Sequence, residues 1–244
     1  MNILLTVSYD GTNYAGWQRQ KNAIAVQQRL EEALTGLLKA PIALTAASRT
    51  DAGVHALGQR ASFIVEHMPI PLEKLPQTIN GCLPGDIAVC NAVLVPDDFN
   101  PRFSAQEKTY CYQLYNALYP NPLLARYSAF VPQDLNTAKM AAAAAHFVGT
   151  HNFAAFCASG SNVKSTERTV FACDVKQKGP LIKMHITGDG FLYNMVRIIT
   201  GTIMYTGLGK ILPGDIPAII ASCDRTKAGK TMPPEGLTLV EVVY

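Results

Sequence analysis

Residues 48–55 read Ser-Arg-Thr-Asp-Ala-Gly-Val-His, so Arg49, Thr50, Asp51 and His55 put a guanidinium, a hydroxyl, a carboxylate and an imidazole on one short stretch. A carboxylate beside a cation stays ionised and can act as a covalent catalyst. The stretch is equally ordinary turn chemistry, with Gly53 close behind Asp51. The residues alone leave both readings open. A second candidate is Arg197, which sits in the otherwise apolar run 191–207. A lone arginine there must carry its head to solvent or pair with an acid. Asp51 is one candidate partner, and a purely structural ion pair is the alternative. A third stretch, Ser8 to Gln20, holds Asp10-Gly11-Thr12 and the single tryptophan, Trp17. That ring could stack on a base or serve as a buried anchor.

Other chemistries find little support. The five histidines (His55, His67, His146, His151 and His185) show no metal-ligand spacing, and His55 reads as structural. The six cysteines form no C-x-x-C pair, so reduced thiols and a cytosolic protein are expected. No phosphate-binding glycine loop or dinucleotide fingerprint occurs, and no cofactor or metal is expected. The start of the chain runs from Met1-Asn2 into Ile3-Leu4-Leu5 with no signal-peptide pattern, and the apolar stretch 196–212 is interrupted by Arg197 and Lys210. The net charge is only +3. A nucleic-acid partner would therefore be gripped by local groups: Arg19, Arg49, Arg102 and Arg168 in loops, and Arg225, Lys227 and Lys230 near the C-terminus.

The elements that must position these groups follow from periodicity. Strands are predicted at 2–9, 42–48, 58–65 and 86–95, with helices at 26–38 and 72–81. Val26, Leu30, Ala33, Leu34 and Leu37 share one face of the first helix. The second half repeats the order: strands at 107–116, 169–177, 181–187 and 237–243, an alanine-rich helix at 137–148 and another at 191–207. Asp134 or Asn136 would cap the alanine helix and Gly149 would end it. The expected fold is α+β: two βαββαβ, ferredoxin-like halves, 1–104 and 105–244, whose antiparallel sheets pair side by side around a central catalytic cleft. The first half would carry the Asp51 loop and the second would complete the cleft, with Pro96 to Ser104 as connector.

Six segments, in order, carry a resemblance that spans nearly the whole chain. They are Y-D-G-T-x-Y-x-G-W-Q-R-Q from Tyr9, R-T-D-A-G-V-H from Arg49, L-P-G-D-I from Leu83, D-D-F-N-P-R-F-S-A from Asp97, G-x-G-F-L-Y-N-M-V-R from Gly188 and P-E-G-L-x-L-V-E-V-x-Y from Pro234. Together they resemble the tRNA pseudouridine synthase A family. The resemblance implies a cofactor-free isomerase that converts uridine to pseudouridine in the anticodon stem-loop of tRNA, at tRNA positions 38 to 40. It implies Asp51 as nucleophile and Arg49 in the space vacated by a flipped nucleotide. Tyr110 would stack on the target base, Arg197 would pair with Asp51, and RNA contacts would come from Phe99, Asn100, Pro101, Arg102, Phe103 and Arg168. A cytoplasmic homodimer acting on tRNA, without membrane or metal, is also implied. Ser48 departs from the family, which often has glycine there, and the loop from Cys157 to Ser165 is short of basic residues.

Two other readings start from the same residues. The βαββαβ order with Tyr110 and Tyr112 on one strand is also that of an RRM, which would make the chain a non-catalytic RNA-binding protein, but the glycine-aromatic signature of that module is missing. Asp10-Gly11-Thr12 is similar to the D-x-D-G-T loop of aspartate-based phosphatases, but Ser8 stands where their nucleophile would be.

Overall fold

A computed structural model describes residues 1–160 and 163–244. Residues 161 and 162, inside the Cys157–Ser165 loop singled out above, lie outside the described residues. The fold is α+β with mostly antiparallel sheet, and it divides into two compact units. One comprises Met1–Gln106 together with Thr238–Tyr244, and the other Glu107–Leu237.

The first unit contains β1 (Asn2–Tyr9), α1 (Val26–Leu38), β2 (Thr45–Ala46), β3 (His55–Ile64), α2 (Leu75–Asn80) and β4 (Ile87–Val95). Its strands run β4-β1-β3, antiparallel, with β2 also antiparallel to β3. Ile3, Leu5 and Val7 alternate inward on β1 and are fully buried, as a half-buried strand requires. Opposite them on β3 stand Phe63, Ala61 and Gln59. From α1, Val26, Leu30 and Leu34 are fully buried, and Leu75 and Ile79 add the buried side of α2.

β2 is much shorter than the strand predicted over 42–48. The reason lies in competing side-chain bonds. The Ile42 N–H donates to Thr35 Oγ1 at 3.2 Å and the Leu44 N–H to the Glu31 carboxylate at 3.0 Å. Both donors are thereby taken by α1, and only Thr45 and Ala46 pair with β3, opposite Ser62 and Ala61. The final strand, β10 (Leu237–Val243), pairs in parallel with the other end of β3, with Thr238 opposite His55 and Leu239 opposite Ala56.

The second unit contains β5 (Glu107–Asn116), β6 (Ala129–Val131), α3 (Thr137–Ala145), β7 (Gly149–Asn152), β8 (Glu167–Lys178), β9 (Leu181–Gly188), α4 (Met195–Gly207) and α5 (Ile216–Ser222). Its strand order is β5-β9-β8-β7, antiparallel, with β6 running parallel to β5. Tyr112, Leu114, Ile182, Met184 and Ile186 line the buried face. Phe147 and Phe156 meet edge to face at 5.1 Å, an arrangement that aromatic quadrupoles favour.

Asn136 caps α3 by accepting from the Lys139 N–H at 3.0 Å. The helix closes at Ala145 rather than at 148. His146, Phe147 and Val148 bond three residues back in a tightened turn that buries Phe147, and Gly149, at φ 118°, opens β7. α4 begins at Met195, four residues later than predicted, because Asn194 adopts a left-handed conformation with φ 59°. Among the described residues no helix is long and apolar enough to cross a membrane.

Candidate active site

Asp51 lies on a turn between β2 and β3. The Val54 N–H closes that turn onto the Asp51 carbonyl at 3.1 Å, with Gly53 at φ 78°. Asp51 is half-buried, Thr50 is buried and Arg49 is exposed. The turn is held mainly by the backbone of the segment after β1. The Trp17 N–H donates to the Thr50 carbonyl at 3.0 Å, and the Gly53 N–H donates to the Tyr14 carbonyl at 3.3 Å. Gly16 passes so close that a Cβ there would lie 2.4 Å from the Thr50 carbonyl oxygen, and its φ of 89° suits glycine.

Side chains complete the brace. The Tyr9 and Thr50 hydroxyls share a buried hydrogen bond of 2.7 Å. Gln59, fully buried, donates to the Ser48 carbonyl at 2.8 Å. The Gly11 N–H donates to His55 Nδ1 at 3.0 Å. Asp10, 3.1 Å from that same nitrogen, is held by the Thr12 N–H and hydroxyl. His55 is thus buried and ties the end of the Asp51 loop to the Asp10–Thr12 turn, which is the structural duty expected of it. Trp17 is also buried, 6.0 Å from the Tyr9 ring, and acts as an anchor rather than as an open stacking face.

In the second unit, Arg197 sits in the first turn of α4. Its Nε donates to the Met232 carbonyl at 2.7 Å and its Nη1 to Asn194 Oδ1 at 2.6 Å. The Met232 N–H returns a bond to the Arg197 carbonyl at 3.2 Å. Residues 229–232 form a strap along α4, fastened by the Gly229 N–H on Thr202 Oγ1 at 2.8 Å. The strap can lie this close because Gly201 faces it; a Cβ there would be 1.9 Å from the Lys230 carbonyl oxygen. Arg225 holds the strap from its other side, through the Gly229 carbonyl at 2.9 Å and Thr231 Oγ1 at 3.0 Å. Of the basic cluster at 225–230, Lys227 and Lys230 stand exposed while Arg225 is half-buried. Tyr110 is buried on β5, edge-on to Phe191 at 5.3 Å.

The 99–103 loop separates scaffold from surface. Asn100 Oδ1 accepts from the Arg102 and Phe103 N–H groups, at 2.9 and 3.3 Å. Phe99 packs on Tyr244 at 4.9 Å, and the Tyr244 hydroxyl donates to the Pro101 carbonyl at 3.2 Å. Burial pushes that phenol up to about 12, so it keeps the proton it donates. Phe99, Asn100 and Pro101 therefore shape the loop, and Arg102 and Phe103 are exposed, the guanidinium 5.7 Å from its neighbour's ring centroid. Arg168, on β8, directs Nη1 to the Ser165 carbonyl at 3.0 Å and also to that of Glu167.

Sequence reasoning assigned no role to Tyr9, Gly16 or Asn194, and counted Thr50 only as one hydroxyl of the Asp51 stretch. Only Asn194 carried a usable signal, since asparagine tolerates the left-handed region that can precede a helix. Among the described residues no cluster of histidine, cysteine and carboxylate side chains suits a metal ion.

Comparison with known proteins follows the same segments. A family described as tRNA pseudouridine synthase matches residues 5–104 and 143–244, which include the Asp51 loop and the Arg197 helix. A tRNA pseudouridine synthase A from Caldicellulosiruptor saccharolyticus is 47% identical over 243 residues, covering 100% of this chain and 99% of the relative. One from Ruminiclostridium cellulolyticum is 47% identical over 243 residues, 99% of each chain, and one from Moorella thermoacetica is 46% identical over 244, again 99% of each. The chain belongs to the tRNA pseudouridine synthase A family, a family of isomerases.

Proposed function

We propose that this chain isomerises uridine to pseudouridine in the anticodon stem-loop of tRNA, at positions 38 to 40, with Asp51 as nucleophile. The observation that carries this reading is the Asp51 turn itself. A half-buried carboxylate stands beside an exposed arginine on a loop whose backbone is fixed on both sides. The reaction breaks the C1′–N1 bond, forms a C1′–C5 bond, releases the C5 hydrogen as a proton and protonates N1. It is redox-neutral, and a carboxylate can divide it into easier steps by covalent attachment.

The other groups take roles that fit their surroundings. A target uridine in a stem must leave the helix, at a cost of a few kcal/mol. Arg49 enters the vacated space and offsets part of that cost. The family resemblance assigns Tyr110, buried here edge-on to Phe191, to stack on the detached base once the RNA is seated. Arg197 pairs with Asp51 and keeps it ionised and aimed. Arg102, Phe103 and Arg168 contact the RNA, with Phe99, Asn100 and Pro101 presenting that loop. The family relation supports a homodimer whose RNA clefts use both subunits. The six free cysteines fit a reducing, cytoplasmic setting.

Tritium release from [5-³H]uridine in tRNA tests the assignment. Asp51→Asn keeps the shape and removes the attacking charge, so turnover should vanish while tRNA affinity stays within a few fold, since phosphate contacts dominate binding. Product from a folded Asp51→Asn protein in a single turnover would remove Asp51 from its role.

A further inference from the structure

We infer that Asn194 is a positioning residue of the reaction, acting through Arg197, and that its left-handed backbone is the means by which it does so. The inference rests on the proposed pairing of Arg197 with Asp51.

Arg197 has a long side chain with several rotatable bonds, and placing its head costs conformational entropy. Anchorage along the stem fixes little, because the guanidinium can still swing. Two bonds to the head itself fix both its position and its plane. In this chain they come from Met232 on one edge and from Asn194 on the other, at 2.7 and 2.6 Å. The Met232 carbonyl is a backbone group on the strap, set by Gly229 on Thr202 and by Arg225. Asn194 is the single side chain in this pair of anchors, and therefore the part that substitution can remove.

The conformation of Asn194 gives it that reach. A residue three positions before another on a helix shares its face. Asn194, however, is the residue that precedes α4, and its φ of 59° and ψ of 9° are left-handed. Its carbonyl still accepts the Ile198 N–H at 3.0 Å, so the helix is begun normally. The side chain makes no capping bond to the helix backbone, the usual occupation of an asparagine at this position. It is turned to the guanidinium instead. A residue that forgoes its cap and sits in a conformation few side chains adopt marks a position where geometry has been favoured over local stability.

The test exploits the fact that glycine accepts the left-handed region without strain. Asn194→Gly keeps the backbone and deletes only the amide. It should slow single-turnover pseudouridine formation by roughly 10- to 100-fold, the scale of a misplaced catalytic group. tRNA affinity should stay within about 2-fold, because binding is dominated by phosphate contacts. A merely structural role would not produce the coupling expected next. Arg197→Lys retains the charge but cannot use the two-edged fork. In that background Asn194→Gly should change the rate by less than about 2-fold, because its only route of action is gone.

The failures separate. If Arg197→Met, which removes the charge, keeps the wild-type rate, the pairing with Asp51 falls and this inference falls with it. If Arg197→Lys keeps that rate, the fork is unnecessary and the inference alone is overturned. If Arg197→Lys is slow but Asn194→Gly is as fast as wild type, the pairing stands and the inference alone is overturned. Additive losses in the double variant, or a slow rate that merely tracks a loss of folded protein in thermal unfolding, overturn it as well.

Discussion

The Asp51 turn and the Arg197 helix are fixed by different means. The carboxylate is short, so whatever fixes its backbone fixes its oxygens. The structure accordingly grips the backbone around it, through Trp17, Tyr14 and the close passage of Gly16. The guanidinium is at the end of a long chain, so fixing its Cα would achieve little. Here the grip is on the head, through Met232 and Asn194. Two groups proposed to meet in one reaction thus need opposite kinds of support, and the support follows from side-chain length.

The most damaging way to break this comparison is to push the backbone grip off the turn. Gly16→Ala brings a Cβ to 2.4 Å from the Thr50 carbonyl in a left-handed residue. It should cost at least about 100-fold in single-turnover rate by displacing Asp51. Gly36→Ala is the matched control: its Cβ meets nothing within 4 Å on α1, and it should stabilise by about 0.5–1 kcal/mol. Wild-type rates for Gly16→Ala would show that the backbone grip is unnecessary.

The Tyr9–Thr50 bond is the side-chain link within that grip and should matter less. Removing one hydroxyl leaves the other without this buried partner, so Tyr9→Phe or Thr50→Val should each destabilise by about 1–3 kcal/mol. The double variant should lose less than the sum, measured by denaturant unfolding. Strict additivity would mean that the bond contributes nothing.

The smallest effect sharpens the distinction among arginines. Arg225 is held by its head, like Arg197, whereas Arg102 is exposed beside Phe103. Arg102→Ala should therefore reduce the log–log salt slope of tRNA binding by roughly one. Arg225→Ala should leave the slope unchanged and lower the thermal midpoint by loosening the strap. The reverse pattern would exchange their roles.

How much of this was legible depends on how local the cause was. β1, α1, β4, β5 and β9 were readable because alternation or helical spacing runs through each of them. The Asp51 loop was readable as a cluster of chemistry. β6 and β7 were not, since three or four residues give no periodicity to find. α5 was equally hidden, a seven-residue helix with proline in its first turn. The shortening of β2 depends on Thr35 and Glu31, several residues away on α1, and no pattern in 42–48 announces it. The same holds at the site. Residue types pointed to Asp51 and Arg197, but the groups that aim them are a glycine backbone, two hydroxyls and an asparagine. Their importance comes from contacts that a sequence does not display.

The parallel pairing of β10 with β3 has a consequence for the order of events in synthesis. Thr238 and Leu239 meet His55 and Ala56, so the two partners leave the ribosome more than a hundred residues apart. While the whole second unit, Glu107–Leu237, is being translated, the end of β3 that carries His55 waits without that neighbour. The unit that begins first is therefore completed last. Through that interval the nascent chain presents a strand edge next to the Asp51 loop, and such an edge is open to wrong pairing.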